Sequence, residues 1–166
     1  MKTLAHLITG STGAGKTTYA MALAAELGAV RFSIDEWMTT LFGPDQPAGA
    51  PDFRWMMQRI GRCEAMIWTN VLQLAGKGVP SVLDLGFTRS DHRAKFAALA
   101  CEAGLRAELH HVDVPAADER WRRVQQRNSE KGATYRLEVT RGMFDFVERL
   151  WEPPSDAEIS AFNRER

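Results

Sequence analysis

The sequence predicts an α/β protein in which helices cover both faces of a parallel β-sheet, giving three layers. Three observations support this. Short apolar segments alternate with helical segments along the chain, as in repeated βαβ units. Residues 79–85 keep the apolar character of a strand buried on both faces. Residues 10–17 form a glycine-rich turn between the first strand and the first helix. Ligands of such folds bind at the carboxyl ends of the strands.

The first half of the chain holds two predicted strands and three predicted helices. Apolar runs bounded by polar residues or glycine predict the strands, at residues 4–9 and 30–34. Helical propensity and periodicity predict the helices, at residues 16–27, 35–41 and 52–77. Gly28 ends the first helix, and Ser33 or Asp35 caps the second. Residues 43–51 are predicted to be a loop.

The long third helix has a core stripe at helical spacing, formed by Met56, Ile60, Cys63, Ile67, Val71 and Leu74. The second half holds two further strands, at residues 79–85 and 105–113. Pro80 lies near the start of the first of these, where its missing N–H is tolerated. Three further helices are predicted at residues 90–103, 116–130 and 137–150. The tail to Arg166 is polar, and no fifth strand is predicted after Pro154.

Composition limits the classes of function. The 166 residues suffice for a single domain over residues 1–166 with its own core. Lys plus Arg equals Asp plus Glu, 21 each, so the net charge is zero and a dedicated nucleic-acid binder is disfavoured, although a local basic patch stays open. The two cysteines form neither a disulfide framework nor a metal-spaced cluster. Without a secretory pattern or a membrane-spanning apolar run, we expect a cytoplasmic protein.

The glycine-rich turn matches the phosphate-binding P-loop, Gly followed by four free positions and Gly-Lys-Ser/Thr. The predicted nucleotide-binding residues of this segment are Gly10, Ser11, Thr12, Gly13, Ala14, Gly15, Lys16, Thr17 and Thr18. Lys16 is expected to reach the β- and γ-phosphates of ATP, and the Thr17 hydroxyl to ligate Mg²⁺. A dinucleotide site also uses such a turn, and Asp35 fits its acidic residue. The glycine order differs, however, and Lys16-Thr17 has no function in that site.

Two carboxylates lie at the ends of predicted strands, at the edge that the P-loop occupies: Asp35 directly follows the second strand, and Asp84 is near the end of the third. Asp35 is interpreted as a general base that takes a proton from an acceptor hydroxyl, or as the N-cap of the short helix. Asp84 is predicted to hold Mg²⁺ together with Thr17, or to order Lys16 or the acceptor. Glu36 is expected to face solvent, and Trp37 to line the acceptor pocket or to pack.

Three arginines of the helix at 116–130 are predicted to share one face, Arg120, Arg123 and Arg127, while Val124 faces elsewhere. Their guanidinium groups suit the charge of a transferring phosphoryl group. Residues 116–136 would then form a lid that excludes water. The alternative is a solvated basic face balanced by neighbouring acidic residues. Arg89 and Arg93 are interpreted either as anion ligands or as surface charge paired with Asp91.

The four histidines, His6, His92, His110 and His111, have no metal-ligand spacing to one another, and no catalytic role is predicted for them.

These segments in this order resemble the small P-loop kinases grouped with AAA-family ATPases, relatives of polynucleotide kinase, chloramphenicol phosphotransferase, zeta toxins and gluconate kinase. The resemblance rests on residues 10–17, 32–37, 82–87 and 112–115, the arginine lid and residues 151–154. It implies a P-loop NTPase fold with an arginine-bearing helical lid. It further implies ATP-dependent phosphoryl transfer to a hydroxyl, with Asp35 as base, Asp84 as second site carboxylate, Arg123 and Arg127 as lid arginines, and residues 151–154 near adenine.

The predicted function is therefore ATP- and Mg²⁺-dependent phosphotransfer to a small hydroxylated molecule, whose pocket is formed by residues 37–60 and 86–93. Three alternatives stay open: a 5′-hydroxyl polynucleotide kinase, a nucleotide-dependent switch without enzymatic activity, and a toxin of the nucleotide-sugar kinase type. The chain leaves no room for the sensor and arginine-finger elements of ring-forming AAA+ machines.

Overall fold

A computed structural model describes residues 4–46 and 52–163. The described chain holds four strands, β1 Leu4–Thr9, β2 Val30–Ser33, β3 Ser81–Asp84 and β4 Arg106–His111. The helices are α1 Lys16–Leu27, α2 Ile34–Phe42, α3 Phe53–Ala75, α4 Ser90–Glu102, α5 Ala117–Glu130, α6 Arg141–Leu150 and α7 Asp156–Asn163, with a 3₁₀ turn at Gly43–Asp45.

The four strands form one parallel sheet in the order β2-β3-β1-β4. β1 is therefore central, and the turn that follows it opens at the carboxyl edge of the sheet between β3 and β4. The register pairs Ser33 with Asp84. Because neighbouring strands are parallel, the chain must return along the sheet between them. Each connection does so through at least one helix.

Side-chain alternation along the strands gives each face of the sheet its own apolar layer. On one face Leu7, Phe32 and Leu83 pack in a large buried cluster with α3 and α4. On the other face Ile8 and Val82 pack against Ala20 and Ala24 of α1. The predicted three-layer α/β architecture is confirmed.

Most predicted element bounds agree with the structure to within two residues, and α6 is an exception. It begins at Arg141 rather than at 137, with Thr140 as its N-cap. The side chain of Asn128 explains the delay, because it donates to the Val139 carbonyl at 2.9 Å and accepts from the Val139 N–H at 3.2 Å. Those bonds hold the backbone of this segment outside the helix. Of the predicted loop at 43–51, residues 43–45 form the 3₁₀ turn, and residues 47–51 lie outside the described residues.

Helix α7 was not predicted, and it covers the outer edge of β4. The Asn163 side chain accepts from the Leu109 N–H at 2.9 Å and donates to the Leu109 carbonyl at 3.3 Å. Ile159 and Phe162 pack against the large cluster. Helix α7 therefore covers the outer edge of β4, and the Asn163 side chain binds one backbone N–H and one carbonyl of that edge.

Replacing Asn163 with Ala should lower the free energy of unfolding by about 1 to 3 kcal/mol, because it leaves the buried Leu109 N–H without its partner. Chemical denaturation measures the change. Asn70→Ala is the matched control, since among the described residues the Asn70 amide donates only to the Met66 carbonyl, one turn earlier in α3. Equal stability of the two variants would contradict the edge role of Asn163.

No helix in the described part of the chain combines the length and the apolarity needed to cross a bilayer.

Candidate active site

The P-loop lies between β1 and α1. Gly13 has a φ of 80°, and a Cβ there would clash with the carbonyl oxygen of Arg120. A Cβ on Gly10 would likewise clash with the carbonyl oxygen of Val112. Glycine is needed at both positions because the chain after β4 packs directly on the loop. Within the described part of the chain no side chain caps the first turn of α1, so its N–H groups stay available to an anion.

Lys16 lies at the centre of the charged groups. Its ammonium donates to the Ser11 carbonyl at 3.0 Å. Burial lowers the pKa of Lys16, while the charges of Asp84 and Asp35 raise it and those of Arg127 and Arg120 lower it further. Two carboxylates and two guanidinium groups that are distant in sequence therefore act on a single ammonium group.

Asp84 ends β3 and is 6% exposed. Burial raises the pKa of its carboxyl and the negative charge of Asp35 adds to this, while a hydrogen bond from Thr17 and the charges of Lys16 and Arg31 oppose it. An Arg31 guanidinium nitrogen lies 3.2 Å from the carboxylate. Thr17 and Asp84, the two predicted metal ligands, are therefore direct neighbours.

Asp35 lies in the first turn of α2 with an exposed side chain. The N-cap of this helix is Ser33, whose hydroxyl accepts from the Glu36 N–H at 3.4 Å. Of the two predicted caps, Ser33 therefore fills that position. No hydrogen bond or ion pair holds the Asp35 carboxylate within residues 4–46 and 52–163, so it is accessible to an acceptor.

Glu36 was expected to face solvent; its side chain is 32% exposed, but it is also held by ion pairs that were not predicted. It accepts hydrogen bonds from Arg31 and, at 2.6 Å, from Arg136. Burial raises the pKa of Glu36, but the bonds from Arg136 and Arg31 outweigh it and hold the pKa below its usual range. Glu36 thus connects α2 to the end of the predicted lid, and Arg31 continues the network to Asp84. Neither Arg31 nor Arg136 was predicted from the sequence, although an arginine inside an apolar strand was a usable signal for Arg31.

The three arginines of α5 have different environments. Arg120 is 4% exposed and donates to the carboxylate of Glu148 and to the carbonyls of Val114 and Thr12. Arg127 is half-buried, and its Nε is buried with no hydrogen-bond partner in the described chain.

Arg123 is exposed and pairs with Glu119 at 2.9 Å. Because Val124 is buried on the same side as Arg120, the inward face of α5 passes through Arg120, Val124 and Arg127. The predicted single face of three arginines is therefore wrong, and Arg123 lies outside it.

Two other predicted anion ligands have protein partners. Arg89 is exposed and pairs with Asp91 at 3.2 Å, which matches its surface interpretation. Arg93 is fully buried and binds Glu158 through two nitrogens, at 2.6 and 3.0 Å. It also donates to the carbonyl of Glu152 at 2.9 Å. Arg93 therefore holds the segment after α6 in place. It was predicted to be an anion ligand or a surface charge, and this structural role was not predicted.

Comparison with known proteins supports the family and the fold. Residues 6–152 match the model of the family described as the AAA domain. A search of the curated proteins gives no match.

Three solved structures share the fold. A candidate kinase from Chloroflexus aurantiacus J-10-fl has a TM-score of 0.71 and 18% identity, over 93% of this chain and 83% of that one. A chain of the Pnkp1/Rnl/Hen1 RNA repair complex has a TM-score of 0.67 and 15% identity, over 90% of this chain and 44% of that one, so this chain spans less than half of it. The Mycobacterium tuberculosis APS kinase CysC, in complex with AMPPNP and APS, has a TM-score of 0.58 and 20% identity, over 79% of this chain and 73% of that one.

Proposed function

The chain belongs to the AAA domain family, and we propose that it is a P-loop kinase that transfers the γ-phosphoryl group of ATP to a hydroxyl of a small molecule. The observation that carries the proposal is the P-loop between β1 and α1, beside the buried Asp84 at the end of the neighbouring strand β3, with the charges of Asp84, Asp35 and Arg127 acting on Lys16. Phosphoryl transfer needs a phosphate cradle, a metal site, a group that orients the nucleophile and a cation over the transferring oxygens. These four parts are proposed to be the P-loop with Lys16, the pair Thr17 and Asp84, Asp35, and Arg127.

The cofactors are proposed to be ATP and Mg²⁺. The P-loop N–H groups and Lys16 would hold the phosphates. Thr17 and Asp84 fit Mg²⁺ because they offer a hydroxyl and a carboxylate oxygen, the hard donors that this ion prefers, and because the Thr17 side chain is near enough to Asp84 to lower the pKa of its carboxyl. A bound Mg²⁺ would neutralise charge on the β- and γ-phosphates.

Asp35 is proposed to be the general base. Its exposed carboxylate would take the proton of the acceptor hydroxyl as that oxygen bonds to the γ-phosphorus and the bond to the β,γ-bridging oxygen breaks, leaving ADP. Ser33 performs the capping function, so Asp35 is not needed for α2. The acceptor therefore would enter between α2 and the lid.

The lid arginines are proposed to act in different ways. Arg127 would meet phosphoryl oxygens; in support, its buried Nε has no hydrogen-bond partner among the described residues, and its charge acts on Lys16. Arg120 would support nucleotide binding through the P-loop, by its bond to the Thr12 carbonyl. Arg123 would contribute only if lid closure separated it from Glu119.

Arg127→Ala should lower kcat about 100-fold, as removal of one charge-stabilising donor does. Steady-state kinetics with a saturating acceptor measures this. Arg123→Ala removes the same side chain four residues earlier, from an exposed position, and should change kcat by no more than about twofold. A larger loss in Arg123→Ala than in Arg127→Ala would contradict the assignment.

The experiment that tests the proposed function is ADP release with Mg²⁺-ATP against four acceptor classes: hydroxylated metabolites, phenicol and aminoglycoside antibiotics, nucleosides, and 5′-hydroxyl oligonucleotides. Turnover that depends on a small acceptor supports the proposal, and its phosphorylated product should appear by mass spectrometry. Preferential phosphorylation of oligonucleotides would replace it with the polynucleotide kinase alternative. Tight ATP binding with no turnover on any class would favour a nucleotide-dependent switch.

A further inference from the structure

Three ligand-type side chains meet beneath helix α1, outside the candidate active site: His6 on β1, and Glu108 and His110 on β4. His6 is paired with Glu108 in the strand register, and His110 follows two residues later on the same face of β4. His6 is 4% exposed, whereas Glu108 and His110 are partly exposed. The cluster is thus anchored in the sheet and open to solvent on one side.

We propose that His6, Glu108 and His110 form a binding site for a divalent transition-metal ion such as Zn²⁺. Nδ1 of His6 lies 3.0 Å from Nε2 of His110. The Glu108 carboxylate oxygens lie 3.9 Å from the former atom and 3.7 Å from the latter. Ligand atoms of a tetrahedral Zn²⁺ site are separated by about 3.3 Å, given metal–nitrogen bonds of about 2.0 Å. The three observed separations lie on either side of that value.

The two rings form a hydrogen bond with each other, which a bound ion would replace, whereas Glu108 forms no hydrogen bond with either ring. At 3.7 and 3.9 Å the carboxylate is too far from either ring nitrogen for a hydrogen bond. It nevertheless faces both nitrogens, as three ligands around one ion do. Two imidazoles and one carboxylate form a common zinc donor set, with a fourth position left for water.

Tyr19 of α1 supplies the outer contact that such sites require. Its hydroxyl lies 2.9 Å from Nδ1 of His110, the ring nitrogen that faces away from the cluster. A partner on the second nitrogen fixes the orientation of a ligating imidazole and keeps the lone pair of the other nitrogen directed at the metal. The contact also joins α1 to the site.

An ion at this location would affect the elements that flank the P-loop. β1 ends and α1 begins at the two ends of the P-loop, so an ion held by β1 and β4 beneath Tyr19 would fix both elements that flank this loop. The site is distinct from the proposed Mg²⁺ position, because nitrogen donors suit Zn²⁺ and Mg²⁺ prefers oxygen alone. The inference rests on these distances and does not depend on kinase activity.

Metal competition tests the site in the full chain. Zn²⁺ is titrated against a chromophoric chelator, in the presence of excess Mg²⁺, with the Cys101→Ser background removing the exposed thiol. We expect one Zn²⁺ per chain, and an affinity at least about tenfold lower in His110→Ala and in Glu108→Gln. His111→Ala is the matched control, because the His111 ring lies near Trp151 and outside the cluster, and it should bind Zn²⁺ as the background protein does.

Circular dichroism shows whether each variant is folded, and Glu108→Gln keeps the side-chain volume that His110→Ala reduces. Co²⁺ in place of Zn²⁺ should give visible absorption bands that both variants lose. Absence of stoichiometric Zn²⁺ binding, or equal affinity in Glu108→Gln and the background protein, would overturn the proposal.

Discussion

Replacing Asp35 with Asn is expected to lower kcat for acceptor phosphorylation about 10³-fold, within the range found for loss of a general base. ATP affinity should change by no more than about twofold, because the side chain is assigned to the acceptor and not to the phosphates. The measurement is steady-state kinetics of ADP release with the acceptor found in the panel, together with nucleotide titration of the variant.

Asparagine is the informative substitution because it keeps the size and the hydrogen-bonding capacity of the side chain and removes only the negative charge and the basicity. The charge of Asp35 is one cause of the raised pKa of Asp84. Its removal should therefore bring the pKa of Asp84 down towards the ordinary value. Asp84 stays ionised to lower pH in the variant, so the predicted metal ligand is retained while the base is lost.

Ser33→Ala is the matched control for the alternative in which Asp35 only stabilises α2. Loss of this N-cap should reduce stability by about 1 kcal/mol and leave kcat nearly unchanged. The two variants thus separate chemistry from helix capping at positions two residues apart. The general-base assignment would be contradicted if Asp35→Asn had the kcat of the wild type and a fall in melting temperature like that of Ser33→Ala.

The sequence predicted the sheet and the P-loop well because both depend on local signals. Strand β1, the turn at residues 10–17 and the start of α1 at Lys16 are each determined by neighbours within a few residues. Helix α7 was missed for the opposite reason. Its segment is largely polar, and what holds it is contact with the edge of β4 through Asn163 and with the large cluster through Ile159 and Phe162.

The burial and the partners of the arginines could not be predicted from the sequence. Helical spacing put Arg120 and Arg123 on one face, yet one is buried and the other exposed. The environment of each depends on acceptors remote in sequence: the Glu148 carboxylate for Arg120 and the Glu158 carboxylate for Arg93. Such pairs cannot be identified from periodicity, because the sequence pattern of a helix is identical whether a charged residue contacts solvent or a distant carboxylate.

The histidine cluster was hidden for a related reason. Metal-ligand motifs are recognised by short spacing along one chain segment, whereas His6 and His110 come together through pairing of two strands far apart in sequence. Only Glu108 and His110, two residues apart on one strand, could have pointed to it.

Arg120→Ala is expected to lower the free energy of unfolding by about 3 to 5 kcal/mol, the usual effect of removing one member of a buried ion pair. For a chain of this length that corresponds to a fall in melting temperature of about 10 °C. The variant would leave the carboxylate of Glu148 without its bidentate partner and the carbonyls of Val114 and Thr12 without a donor. Thermal and urea denaturation measure both quantities.

The same variant decides how Arg120 serves the nucleotide. If Arg120 acts by holding the P-loop, Arg120→Lys should also be unstable, because an ammonium group cannot replace a guanidinium that binds a carboxylate and two carbonyls together. The double variant Arg120→Ala/Glu148→Ala should then lose less stability than the two single changes summed, since their effects share one interaction. Wild-type stability with weakened ATP binding in Arg120→Ala would instead make Arg120 a direct phosphate ligand. In that case its bond to Glu148 would have to be exchanged for the nucleotide when ATP binds.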